Sequence, residues 1–129
     1  MATIPQVVDP QHPLIVRLRA TCLSYPEVVE IPAWGRPTFR VSKKIFVVAG
    51  ASTEVPLSVV FKPEPSDEPA LRQDPRMFAP PYWGPFGWLA IGLERADDWD
   101  EIAELVDASY RQIALRRQVA ALDAAPVVR

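Results

Sequence analysis

The chain has 129 residues, 49% hydrophobic and 23% charged, the balance of one folded domain rather than of a disordered or fibrous chain. Fourteen Lys and Arg against sixteen Asp and Glu leave a net charge of −2, so the molecule as a whole is not drawn to nucleic acid or to an anionic membrane, and any such binding has to be local. One cysteine, Cys22, and one histidine, His12, exclude an intramolecular disulfide, a CxxC metal knuckle and a cluster of His ligands.

The N-terminal stretch up to Val8 has no basic start and no apolar run of secretory length. The longest apolar runs, Ile45 to Ala51 and Leu57 to Phe61, fall far short of the ~20 residues of a membrane-spanning helix. A cytoplasmic location is expected, and a free Cys22 fits a reducing compartment. One domain is expected over residues 1–129, with its core at about 10–117 and a frayed tail over 118–129 that includes Pro126.

In chain order, Asp9 and Pro10 read as the cap and first residue of a helix whose apolar stripe is Leu14, Ile15, Leu18 and Cys22, and which ends before Pro26. From Thr38 the period changes to two. Phe39 and Val41 point one way and Arg40 the other, then Ser42, Lys43 and Lys44 precede Ile45 to Ala49, which predicts a hairpin with Phe46 and Val48 on the same face as Phe39 and Val41. Leu57 to Phe61 reads as a third strand, and a short helix near Ser66 to Gln73 fits the polar segment after it. Asp74 to Gly87 carries Pro75, Pro80, Pro81 and Pro85 among Phe78, Tyr82, Trp83 and Phe86, which predicts a stiff aromatic loop. Trp88 to Leu93 alternates as a fourth strand. The last helix opens at Asp98 and Glu101, buries Trp99, Ile102, Val106, Tyr110 and Ile113, and is expected to carry Arg116 and Arg117 at its C-terminal end. The order predicts an α+β fold: an antiparallel sheet of four or more strands with N- and C-terminal helices packed on it.

Cys22 to Glu30 (CLSYPEVVE), Trp34 to Phe46 (WGRPTFRVSKKIF), Pro81 to Leu93 (PYWGPFGWLAIGL) and Trp99 to Ala114 (WDEIAELVDASYRQIA) together resemble the MmcQ/YjbR-like family of small bacterial proteins, over roughly residues 14 to 117. The resemblance implies a frataxin-like (CyaY-like) fold, also described as a double-wing arrangement, and a DNA-binding label that rests on fold rather than on a site. The sequence departs from the family pattern where Glu27 stands in place of a glycine after the first proline, and where Ser42 and Lys43 stand in place of a Gly-Lys turn.

Two surfaces are candidates for function. Arg36, Arg40, Lys43 and Lys44, with Trp34 beside them, could form a basic wing for phosphate contacts, extended by Arg111 and Arg116. Seven basic residues against three acidic ones between Leu14 and Lys62 support it, although cations at a hairpin tip also serve to keep a sheet edge soluble. Four such contacts imply a log-log salt slope of about −3 to −4 on duplex DNA. The alternative surface is the aromatic loop, where Tyr82, Trp83 and Trp88, with Trp34, could wall a small-ligand or protein-binding site or could plug one end of the sheet.

Catalysis is not expected. Ser109 has no predicted base near it, His12 lies in a proline-rich lead-in, and the glycines form neither GxGxxG nor GxxxxGK[ST]. Some relatives carry a transferase label, but a folate-dependent formyl transfer would call for a polar catalytic group and a larger nucleotide-fold domain. The acids Asp97, Asp98, Asp100, Glu101, Glu104 and Asp107 read as helix-dipole complement and solvated face rather than as a metal site, because the first helix lacks the acidic ridge of frataxins. No cofactor and no metal are expected. The expected partners are DNA, bound weakly and without sequence preference, or a protein; no membrane is expected, and the chain is expected to be a monomer or small homo-oligomer.

Overall fold

The computed structural model describes residues 6–125; residues 1–5 and 126–129 of the expected domain lie outside the described residues. The elements are α1 (Pro13–Leu23), β1 (Val29–Ala33), β2 (Arg36–Val41), β3 (Lys44–Ala49), β4 (Ser58–Phe61), α2 (Glu68–Gln73), β5 (Met77–Phe78), β6 (Leu89–Gly92), α3 (Trp99–Ile113) and α4 (Arg116–Ala124). The strands form one antiparallel sheet in the order β1-β2-β3-β4-β6-β5. The α+β expectation holds, with six strands and helices at both ends. No helix among the described residues is long and apolar enough to cross a membrane.

Helix α1 starts three residues later than the sequence suggested. Asp9 and Pro10 form a preceding turn, in which the Gln11 N–H donates to Asp9 Oδ1 at 2.9 Å. His12 is the actual cap, its Nδ1 accepting from the Leu14 N–H at 3.1 Å, with Pro13 as the first helical residue. An unprotonated imidazole nitrogen can do what a carboxylate does at a helix start, and proline there forgoes an N–H that would have no partner. Ile15, Leu18 and Cys22 form the buried stripe.

The first three strands are joined by two tight hairpins. Ala33 pairs with Arg36 and Val41 with Lys44, so each loop has two residues: Trp34 and Gly35 at φ 54° and 76°, then Ser42 and Lys43 at φ 50° and 67°. Two successive left-handed residues are the type I′ geometry whose twist matches that of the flanking strands. Strand β1 was not legible as a strand, and neither was the helix α4 beyond it.

A bulge in β3 corrects the expected side-chain faces. Phe39 pairs with Val47 but Arg40 with Ile45, which leaves Phe46 as an extra residue. Phe46 and Val47 therefore both enter the core under the helices, and Val48 turns to the opposite face, away from Phe39, Val41 and Phe46. The carbonyl freed at the bulge is not orphaned. Ser109 on α3 donates to Phe46 O at 2.6 Å and accepts from the Lys62 N–H at 3.0 Å.

The core between sheet and helices contains Ile15, Leu18, Cys22, Phe39, Val41, Phe46, Val59, Ile91, Ile102, Val106 and Tyr110, all fully buried, while Ile113 packs at its margin. Tyr25, Phe46 and Tyr110 meet with ring centroids 4.8–6.4 Å apart, and the Tyr110 hydroxyl donates to Pro26 O at 2.9 Å. That bond supports the turn at Glu27, which keeps a left-handed φ of 61° without the family's glycine. On α1 and α3, Trp99 Nε1 donates to Thr21 Oγ1 at 3.0 Å while Arg17 lies over its ring.

Of the tail expected to fray, residues 118–125 are structured, and 126–129 lie outside the described residues. Ala114 and Leu115 are extended, which ends α3, and α4 follows from Arg116 to Ala124. Gln118 is its anchor: fully buried, it accepts from the Leu115 N–H at 2.8 Å and donates to Ser42 Oγ in the second hairpin turn at 3.0 Å. Arg116 and Arg117 thus begin a helix rather than end one, and no longer complement a negative helix terminus.

Candidate functional site

The helices cover one face of the sheet. The other face carries a small cluster, Val48, Ala51, Val60 and Ala90, with Ile45, Phe78, Trp83 and Trp88 packed on it. Trp83 and Trp88 are supplied by the proline-stiffened segment after β5, in which Gly84–Phe86 forms one 3-10 turn closed by Gly87 at φ 89°. This loop covers only part of the open face; beside it Val29 and Ile31 of β1 stay exposed, Arg36 and Arg40 of β2 are half-buried, and Thr38 between them is buried.

There the strand alternation sets Arg36, Thr38 and Arg40 of β2 side by side, opposite Ala33, Ile31 and Val29 of β1. Thr38 Oγ1 donates to Ile31 O and accepts from Arg40 Nε at 3.1 Å, which fixes the second guanidinium. Arg36 is held more firmly. Its Nη1 donates to Gly50 O at 2.7 Å and Ala51 O at 3.1 Å, and its Nε to Trp34 O at 3.1 Å. Partial burial lowers its affinity for the proton below the ordinary value, the mark of a cation set in poorly hydrated surroundings.

Three aromatic side chains meet here. Trp34 lies 6.4 Å from Tyr82 and 6.0 Å from Trp83, and Tyr82 lies 5.4 Å from Trp83, centroid to centroid, with two of the three contacts edge-to-face. Arg36 stands 5.5 Å from the Trp83 centroid and Arg40 6.0 Å from that of Trp34, both within cation–π range. Trp34 and Tyr82 occupy left-handed backbone, at φ 54° and 73°, Trp34 as the first loop residue of the type I′ turn between β1 and β2. Trp34 stays 47% exposed and Tyr82 72%.

Between these groups and the 50s turn lies a cleft of about 410 Å³, lined by Trp34, Arg36, Ala51, Ser52, Thr53, Pro81, Tyr82 and Trp83. Its size is that of a ligand pocket. Among the described residues no acidic side chain lines it. Gly50 makes the turn possible: at φ 93°, an added Cβ would meet Pro56 O and the side chains of Val7 and Val8 at 3.3 Å. Ser52 and Thr53 carried no sequence signal, since their approach to the aromatic loop depends on tertiary folding.

The remaining basic candidates do not join this surface. Lys43 sits at the hairpin tip, and Lys44, paired with Val41, leaves the sheet on the helix side. Arg111 is held by Asp107 at 2.7 Å and Asp123 at 2.8 Å, and Arg117 by Glu27 at 2.6 Å. Arg116 is exposed at the start of α4. Trp88 is half-buried on the open-face cluster and lies outside the cleft lining.

Most of the other chemically capable groups have structural roles. Ser109 is the bulge clamp, and His12 caps α1. Cys22 is buried, with its thiol pushed up by desolvation. Among the acids, Asp98 Oδ1 caps α3 by accepting from the Glu101 N–H, Glu101 binds Arg76, and Asp107 accepts from the Tyr25 hydroxyl at 2.9 Å. Burial and that carboxylate together raise the Tyr25 pKa above its usual range.

A six-stranded antiparallel sheet with helices on one face and a cation-flanked aromatic cleft on the other defines a class of small α+β domain. The YjbR family model matches residues 23–112, and the chain belongs to that family. Among solved structures it is similar to Deinococcus radiodurans protein DR2400, described as a DUF419 domain, with 18% identity, coverage of 92% of this chain and 96% of that one, and a TM-score of 0.69. That likeness establishes the fold. No curated protein matches the sequence.

Proposed function

We propose that the chain is a non-catalytic nucleic-acid-binding module that takes single strands across the open face of its sheet. The observation that carries this reading is the aromatic triad Trp34, Tyr82 and Trp83 flanked by Arg36 and Arg40, with no acid in the cleft. Unpaired bases stack on aromatic faces while guanidinium groups meet the phosphates, the recurring pattern of single-strand binding. Arg40, over Trp34 and braced only by Thr38 Oγ1, is the cation free to meet a phosphate, while Arg36 is tied to the carbonyls of the cleft wall. A duplex hides its base faces and would use only the cations.

This moves the expected basic wing from the hairpin tip to the sheet face. Arg40 remains as the phosphate contact and Arg36 as the cation of the cleft, Lys43 stays apart at the hairpin tip, and Arg111 leaves the surface because two carboxylates hold it. The cleft volume favours a second reading, a free small ligand in place of a strand.

Anisotropy titration of labelled 12-mer oligonucleotides tests the proposal. Single strands are expected to bind more tightly than the matching duplex, and Trp34→Ala to weaken them about fivefold or more, the low end for one stacked base. Equal affinity for duplex, or no effect of Trp34→Ala, overturns it.

A further inference from the structure

We infer that the cleft is a pocket for one nucleobase and that Arg36 makes it prefer guanine. The inference rests on the single-strand reading and adds the identity of the base.

The cleft is lined by Trp34, Tyr82 and Trp83 and by Arg36, a donor held in place by backbone carbonyls. Two of the three guanidinium nitrogens of Arg36 are committed to the carbonyls of Trp34, Gly50 and Ala51. Nη2 has no partner among the described residues, and its two N–H groups are the charged donors left for a ligand. The group is partly buried, so a mismatched base edge there is not readily rescued by water. The hydroxyls of Ser52 and Thr53 complete the lining and, unlike Arg36, can either donate or accept.

A base that presents acceptors to Arg36 is favoured over one that presents an amino group. Adenine and cytosine place N6 and N4 donors on the edge where guanine places O6 beside N7, and a single cationic nitrogen with two hydrogens can reach both guanine acceptors, as lysine does. Thymine has only O4 on that edge. The lack of an acid in the lining removes the group that would accept from an adenine or cytosine amine. The same lack, together with the two guanidinium groups already on the aromatic faces, disfavours a cationic ligand.

The test titrates the full chain with the 5′-monophosphates of guanosine, adenosine, cytidine and thymidine, following the indole N–H signals of Trp34 and Trp83 by 1H–15N NMR. GMP is expected to shift those two signals and to bind about fivefold or more tightly than AMP or CMP, the low end of a bidentate arginine–guanine contact. Arg36→Met should abolish the preference. Because Arg36 also braces the 50s turn, Tyr82→Ala is the companion variant: exposed and outside the core, it should weaken all four nucleotides while keeping guanine first. Equal affinity for the four, or shifts confined to Trp88 and Trp99, overturns the inference. If 12-mer single strands still bind with no guanine preference, only the base assignment fails; if single strands fail as well, the single-strand reading falls with it.

Discussion

Five non-glycine residues, Glu27, Trp34, Ser42, Lys43 and Tyr82, adopt φ between 50° and 73°, where an L-residue gives up roughly 1–2 kcal/mol. They divide by what their side chains do. Glu27 holds Arg117, Ser42 accepts from Gln118, and Trp34 and Tyr82 build the cleft, whereas Lys43 makes no side-chain hydrogen bond or ion pair among the described residues. Lys43→Gly is therefore expected to stabilise the fold by about 0.5–1 kcal/mol once glycine's extra freedom in the unfolded chain is subtracted, as urea unfolding would show. Ser109 lies at the other extreme. Ser109→Ala removes both the donor to Phe46 O and the acceptor for the Lys62 N–H, and a buried group left without its partner costs roughly 1–3 kcal/mol. The same melts should register that loss, and one within a few tenths of zero would show that the bulge carbonyl has another partner. A role in clamping the bulge accounts for a small polar residue on the buried stripe of α3 without invoking a nucleophile.

Between elements, Arg76 joins the segment before β5 to the start of α3. It bonds both Asp74 and Glu101, at 2.8 and 2.7 Å, and also donates to Arg95 O. Hydrogen bonds from the Arg76 side chain and backbone hold the Asp74 carboxyl at about 2, and Arg76 lowers Glu101 as well. Both carboxyls are more acidic folded than unfolded, so their stabilisation is complete above about pH 5 and is lost as pH falls toward 2. Thermal melts between pH 5 and 2 should fall more steeply for the wild type than for Arg76→Gln. Apart from the short α2, read from the polar segment after β4, the elements that sequence reading found, α1, the central hairpin, β4, β6 and α3, are those whose apolar spacing follows a regular period and faces one core. Strand β1 escaped because Val29 and Ile31 face the open side, Glu30 pairs with Arg19, and Pro32 interrupts the pattern. Helix α4 escaped because its buried anchor is a glutamine, and the bulge at Phe46 inverted Val48 because a one-residue insertion leaves no mark in an unbroken apolar run. Of the candidate site, Trp34 and the aromatic loop were legible from composition and Arg40 from alternation. Which cations share their face depended on the register.

The net charge of −2 conceals an uneven distribution across the whole molecule. The acids Glu64, Asp67, Glu101, Glu104 and Asp107 belong to the helical side, where several of them line the groove between α2 and α3 or hold Arg76 and Arg111. Arg36 and Arg40 lie across the sheet on a face whose cleft has no acid. Such a molecule is expected to bind an anionic strand in one orientation only, weakly, and through few contacts. With Arg40 as the phosphate contact and Arg36 facing the base, the log-log salt dependence on single strands should have a slope of about −0.7, far shallower than four contacts on a duplex would produce. Arg40→Gln should flatten the slope by about 0.7, the share of one contact on a single strand, because its guanidinium is braced only by Thr38 Oγ1 and is free to meet a phosphate. Arg111→Gln should leave the slope unchanged, because Asp107 and Asp123 already neutralise that group on the helical side. Anisotropy titrations from low to physiological salt separate these outcomes: a slope that responds to Arg111 and not to Arg40 would place the nucleic acid on the helices and remove the sheet face from the binding surface.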